Sequence, residues 1–170
     1  MLYMVEMDLP DRSQIADWHA WYAGHIATLL SVEGYYGAQR FEATTSAQSP
    51  FLAIHDVSGP ELFTSVAYTS VGGPAGTGAW RARMTHWHRN VYAGIDSMPA
   101  LAEDQLLALV ASEAALPSAC EAGVQWVDSV GLDGSIPRRG VLILSAEEGS
   151  TALQGVRGVT LYRPISAKFV

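Results

Sequence analysis

The chain has 170 residues, 49% of them apolar, with ten Lys and Arg against seventeen Asp and Glu, a formal charge of −7 and a single cysteine, Cys120. A chain of this size buries about 70% of the surface its unfolded form exposes, enough for one core without staples. A lone cysteine gives neither an internal disulfide nor a zinc cluster, so a cytoplasmic protein is expected. The acidic balance and the absence of any basic block exclude a nucleic-acid partner. The longest charge-free stretch, Leu62 to Trp80, contains Gly72, Gly73, Pro74, Gly76 and Gly78, so it reads as a loop and no membrane span is expected.

Residues Leu2 to Leu9 alternate, with Tyr3, Val5, Met7 and Leu9 on one side and Leu2, Met4, Glu6 and Asp8 on the other, which predicts a strand. Pro10 ends it. Asp11 or Ser13 can cap a helix to about Val32, in which Ile15, Trp18, Tyr22, Ile26 and Leu29 recur at spacings of three and four. Gly34 closes that helix, and Tyr35 to Thr44 and Phe51 to Val57 read as two strands. A weaker helical stretch follows from Glu61 to about Ser70, then the glycine-rich loop. Ala79 to His86 reads as a turn or two of helix, and Trp87 to Ala93 as a strand. Beyond it come a strand at Leu106 to Ala111, a helix at Ser118 to Val130, a strand at Arg139 to Ser145, a short helix at Thr151 to Gln154 and a strand at Val159 to Ile165. The first 95 residues have the order β-α-β-β-α-β, and the element order alone suggests a shorter second repeat. The expected class is therefore α+β, with a ferredoxin-like antiparallel sheet and helices on one face.

Common nucleotide and hydrolase signatures are missing: there is no GK[ST] triplet, no G-x-S-x-G elbow and no H-E-x-x-H. All five histidines and four of five tryptophans lie before residue 95, so a site is sought there. At 100° per residue His25 falls about 20° from Trp18, about 60° from Tyr22 and about 40° from Leu29, in the middle of the apolar stripe. An imidazole among aromatic rings is desolvated, kept neutral, and able to accept a proton; the alternative is a core histidine with one hydrogen-bond partner. Arg40 shares a strand face with Tyr36, Ala38 and Glu42. Its planar fork suits a carboxylate or enolate oxygen if that face points inward, and is a solvated edge charge otherwise. His55 projects with Phe51, Ala53 and Val57. His86 and His88, two apart in a strand, could hold a metal with Glu6 or Asp56, or lie at the surface around a core Trp87. No metal site is assigned.

Trp18, Tyr22, His25-Ile26, Leu29-Leu30, Val32, Gly34 and Gln39-Arg40-Phe41, followed by Phe51-Leu52-Ala53-Ile54 and Arg89-Asn90-Val91-Tyr92, resemble the EthD-like branch of the dimeric α+β barrel superfamily over about residues 1–95. The resemblance implies two ferredoxin-like sheets packed into a barrel, from two chains or from tandem repeats, here residues 1–95 and a completing repeat at 96–170. It also implies a pocket between sheet and helices into which the first-helix histidine points. Carried over residue by residue, His25 is the catalytic candidate, with Trp18, Tyr22, Arg40, His55, Trp87 and Tyr92 as lining. Two positions depart from the family pattern: Gly24 stands where relatives carry an acid, and Glu33-Gly34 where they carry Pro-Gly.

The expected function is a cofactor-independent acid/base enzyme of lyase, dehydratase, decarboxylase or isomerase type, acting on a small organic molecule. His25 is its acid/base and Arg40 or Tyr22 steadies negative charge on oxygen, while Trp18, His55, Trp87 and Tyr92 bind substrate. The alternatives are a non-catalytic small-ligand-binding or accessory protein, and a haem- or metal-dependent monooxygenase-like protein. A homodimer or a closed pseudo-dimer is expected.

Overall fold

The computed structural model describes the backbone of residues 1–170 and every side chain except those of Pro74 and Ala75. Its elements in chain order are β1 (Leu2–Asp8), α1 (Ile15–Leu30), β2 (Tyr35–Ala43), β3 (Phe51–Val57), α2 (Val66–Val71), α3 (Gly73–Thr77), β4 (Thr85–Ala93) and β5 (Gln105–Ala111). The rest are α4 (Ser118–Glu121), β6 (Gln125–Leu132), β7 (Arg138–Ser145), α5 (Ala146–Leu153) and β8 (Val159–Pro164).

The strands form one closed antiparallel barrel in the order β1-β3-β2-β8-β5-β7-β6-β4. This corrects the expected fold class: an open ferredoxin-like sheet with helices on one face is not what the chain forms. The two outer strands of the first half, β2 and β4, each find a partner in the second half. Phe41 to Ala43 of β2 pair with Pro164 to Tyr162 of β8, and Asn90 to Ala93 of β4 pair with Leu132 to Asp128 of β6. Unpaired edge amides and carbonyls invite other chains, and closure removes them. Among the described residues, no helix is long and apolar enough to cross a membrane.

Strand alternation sorts side chains to two destinations. Leu2, Met4, Phe41, Leu52, Ile54, Leu107 and Leu109 fill the barrel interior. Tyr3, Val5, Met7, Phe51, Ala53 and Val91 point outward beneath Trp18, Tyr22, Ile26 and Leu29 of α1. On the opposite wall Leu106, Ala108, Val110, Leu142 and Leu161 pack outward with Cys120 and Leu153 from α4 and α5. With both faces covered, β3 is buried along its whole length. The capping of α1 begins one turn early: Asp11 accepts the Ser13 amide at 3.1 Å, in the 3-10 turn Arg12–Gln14 that leads into the helix. Gly34, with φ of 99°, turns the chain out of it, a conformation that costs a side-chain-bearing residue more.

Two further sequence expectations are corrected. Ser118 to Val130 is not one helix: α4 has four residues, and Gln125 onward is strand β6. Cys120, Val124 and Val127 recur at helical spacing, but Gln125–Leu132 is drawn into the gap between β4 and β7, where ladder bonds outweigh weak helix propensity. Within the glycine-rich stretch, Gly73–Thr77 forms a short helix, while Ala79–His86 is helical only through the 3-10 turn Gly78–Trp80.

Inside the barrel, Glu6 and Arg139 form an ion pair at 2.8 Å with side chains 9% and 12% exposed. Removing one member of a buried pair strands the other charge, so Glu6→Leu alone is expected to cost about 3–5 kcal/mol. Glu6→Leu with Arg139→Leu should recover most of that loss, read as the denaturant midpoint of the three proteins.

Candidate functional site

The site forms where the aromatic side of α1 meets the outward face of β1 and β3. His25 lies one turn after Trp21, and the two rings stack with centroids 5.2 Å apart and planes 10° from parallel. The backbone of Gly76 closes against the imidazole: a Cβ at that position would stand 2.8 Å from His25 Cε1 and 2.1 Å from the Val71 carbonyl oxygen. His55 comes from β3, directly across the ladder from Tyr3 of β1, with ring centroids 5.2 Å apart. The Tyr35 ring meets its edge at 5.6 Å.

His25, His55 and Tyr3 enclose a hollow of about 20 Å³, lined also by Trp21, Tyr22, Tyr68, Thr77, Met84 and Trp87. That is room for about one water. Its outer wall is α2, α3 and their flanking turns. Among the described residues, the backbone hydrogen bonds of residues 65–80 outside regular elements stay local, from Ser65 back to Leu62 and from Arg83 and Met84 to Trp80, with Thr69 to Ser65, Gly72 to Tyr68 and Gly76 to Gly72 between, so the segment is not stitched into the barrel ladder.

Burial sets the protonation states. It lowers the pKa of His25, and it pushes His55, 1% exposed, down to about 3 with the neighbouring His25 adding to the effect and Asp56 opposing it. His55 Nδ1 is buried with no hydrogen-bond partner. Burial likewise raises the phenols: Tyr22 to about 12, and Tyr3, Tyr35 and Tyr68 above the ordinary tyrosine value. At neutral pH the hollow therefore presents neutral imidazoles that can accept a proton beside phenols that can donate a hydrogen bond.

Of the residues singled out from sequence, His25, Tyr22, His55 and Trp87 line this hollow. Three others do not. Trp18 is fully buried beneath it, packed on Phe51 at 4.7 Å. Arg40 does face α1, paired with Ala53 across the ladder, but its guanidinium lies over the rings of Tyr22 and Trp18, at 4.2 and 4.7 Å. The expectation that it meets a substrate oxygen is corrected: it touches ring faces, its Nη2 is buried without a partner, and burial lowers its pKa to about 10. Tyr92 is on the other side of the sheet. It pairs with Leu2, sits in the barrel interior, and donates to the Ile136 carbonyl at 3.1 Å.

His86 and His88 do not form a ligand pair on a regular strand. The ladder shifts between Glu6 and Asp8, His86 takes a φ of 48°, and only His88 stands opposite Glu6. Among the described residues no group of three His, Cys, Asp or Glu is placed to hold a metal. Sequence reasoning missed Trp21, Tyr68 and Thr77 as lining. Trp21 was accessible as the residue four before His25, whereas Tyr68 and Thr77 sit in short elements without a periodic signature.

No protein-family model matches the chain, and no curated protein matches it. Its own geometry defines it as a closed eight-stranded antiparallel barrel with a two-histidine aromatic hollow under its first helix.

The depressed pKa of His55 fixes a pH window. An unfolded histidine protonates near pH 6.5 and the folded one near about 3, so between those values the unfolded chain binds more protons. Stability from this group is complete above about pH 6.5 and is lost as the pH falls toward about 3. In melts at a series of pH values, His55→Gln should flatten that slope relative to the unsubstituted protein. An identical slope would remove the assignment.

Proposed function

We propose that the chain is a cofactor-independent acid/base enzyme that moves a proton on a small organic molecule held in the hollow under α1. One observation carries the reading: two imidazoles from different elements, both kept neutral by burial, face one phenol-lined space. The resemblance of the stretch around Trp18, His25 and Arg40 to EthD-like proteins supports the same histidine.

The two imidazoles are not equivalent. A base works best when its pKa lies near the working pH, and a group at about 3 is too weak to take a proton from carbon. His25 is the base; His55 supplies a polar wall that stays uncharged. Proton removal next to a carbonyl or carboxyl sends the electron pair to oxygen. Tyr22, with its phenol at about 12, stays protonated and donates a hydrogen bond to that oxygen. Return of the proton from His25 to another carbon gives an isomerase outcome, and loss of a leaving group gives a lyase outcome.

A guest larger than a water requires the outer wall to move. Lifting residues 65–80 breaks no bond of the barrel ladder, and it withdraws Tyr68, Thr77 and Gly73 from the hollow together. The wall then serves as a lid of the kind that excludes water once closed.

The test is exchange of carbon-bound hydrogen in D2O, followed by NMR over a panel of small ketones and keto acids. The expected result is enzyme-dependent exchange that falls about 10²- to 10⁴-fold in His25→Gln. Exchange undiminished in that variant, or no exchange with any compound, overturns the acid/base reading. A compound that binds and is returned with its hydrogens intact points instead to a ligand-holding accessory protein.

A further inference from the structure

Around the hollow the charge balance is the reverse of that of the whole chain. The chain carries −7 overall, yet among the described residues no carboxylate lines the hollow; Asp56, next to His55, is turned to Ser97 and Met98, and arginines stack on the aromatic walls. Trp87, one of its walls, has the guanidinium of Arg81 at 4.1 Å and that of Arg89 at 4.7 Å from its ring centroid. Arg83 lies 4.9 Å over Trp80, whose ring is 5.9 Å from Trp21, the ring stacked on His25. On the same face of the sheet, Arg40 sits over Tyr22.

The acids that reach these arginines leave them underused. Asp133 accepts the Arg89 backbone amide at 2.8 Å and takes one long hydrogen bond from its Nη2, at 3.4 Å, while Arg89 Nε is buried with no partner. Arg83 donates to Gln14 Oε1 at 2.6 Å, with Asp11 nearby. Arg81 has no ion pair among the described residues. Arg89 also reaches inward: its charge opposes the burial that raises the Tyr3, Tyr35 and Tyr68 phenols. A guanidinium stacked on an indole keeps its in-plane N–H donors free, and that planar fork matches a carboxylate. Two such forks share one indole at the wall of the hollow, on a protein whose net charge otherwise repels anions.

We infer that the guest is a small carboxylate whose aromatic or alicyclic ring enters between Trp87, Tyr22 and Tyr3, with its carboxylate met by Arg89 and Arg81. This rests on the hollow being the guest site and names the class of its substrate. The two arginines on Trp87 draw anions toward that wall, and the apolar walls select a ring over a free inorganic ion.

The probes are benzoate, phenylacetate and cyclohexanecarboxylate, each beside its primary amide, titrated by tryptophan fluorescence. Each carboxylate is expected to bind at least about tenfold tighter than its amide, the difference made by one charge-assisted hydrogen bond. In Arg89→Met the preference should collapse while amide affinity stays. The exposed Arg81→Met, which leaves the Asp133 contact in place, should reduce it partially. Raising the salt should weaken the acids and spare the amides. Equal binding of acids and amides, a preference surviving in both variants, or no binding by any of the six probes overturns the inference. The hydrogen-exchange experiment reads the fate of carbon-bound hydrogen and covers neutral ketones as well as keto acids, so it judges the acid/base reading separately.

Discussion

The barrel depends on β1 being read from both sides. Leu2, Met4 and Glu6 fill and charge the interior, while Tyr3, Val5 and Met7 form the floor under α1. The strand is hydrogen-bonded on both flanks, to β3 and to β4. A slip of one residue would send Glu6 into the aromatic layer and Tyr3 into the interior, so the register is held by two unlike environments at once. The ion pair between Glu6 and Arg139 sharpens it, because a charge that misses its partner inside a barrel is costly.

The same parity separates the candidate site from the structural polar groups. His55 and Asp56 are neighbours in sequence and point apart. His55 joins Tyr3 at the hollow, while Asp56 accepts hydrogen bonds from the Met98 amide at 2.9 Å and the Ser97 hydroxyl at 2.8 Å, tying the connection after β4 to the sheet. One strand therefore fastens the barrel with one residue and presents chemistry with the next. The hollow inherits its rigidity on the inner side from the ladder. Its outer wall, made of two helices of six and five residues, has no such support.

What was legible in the sequence follows the strength of its periodicities. The stripe of Trp18, Tyr22, Ile26 and Leu29 gave α1, and the alternation from Leu2 to Leu9 gave β1. The inward placement of His25 followed from the same wheel. Barrel closure was not legible, because pairing of β2 with β8 joins residues more than a hundred positions apart and leaves no local trace. Strand β6 was hidden by Cys120, Val124 and Val127, whose spacings of four and three suit a helix and not an alternation. The sequence left the face of Arg40 open between inward and solvent-facing, and no pattern in it says that two rings lie against its guanidinium. Tyr92 was lost to parity that could have been counted: it is five residues from Trp87, so the two leave a strand on opposite sides.

Nine of the ten basic side chains are arginines, and the sole lysine, Lys168, is held at the rim of the barrel by Asp56 at 2.5 Å and by the Met98 carbonyl. Its side chain is 14% exposed. Reagents that attack side-chain amines therefore have one address on this chain, and it is a clasp between the C-terminal tail and the connection after β4. Acylation there replaces a cation with a neutral amide and opens the clasp without touching the arginines or the histidines. A single covalent adduct on this chain would thus report whether the tail is fastened.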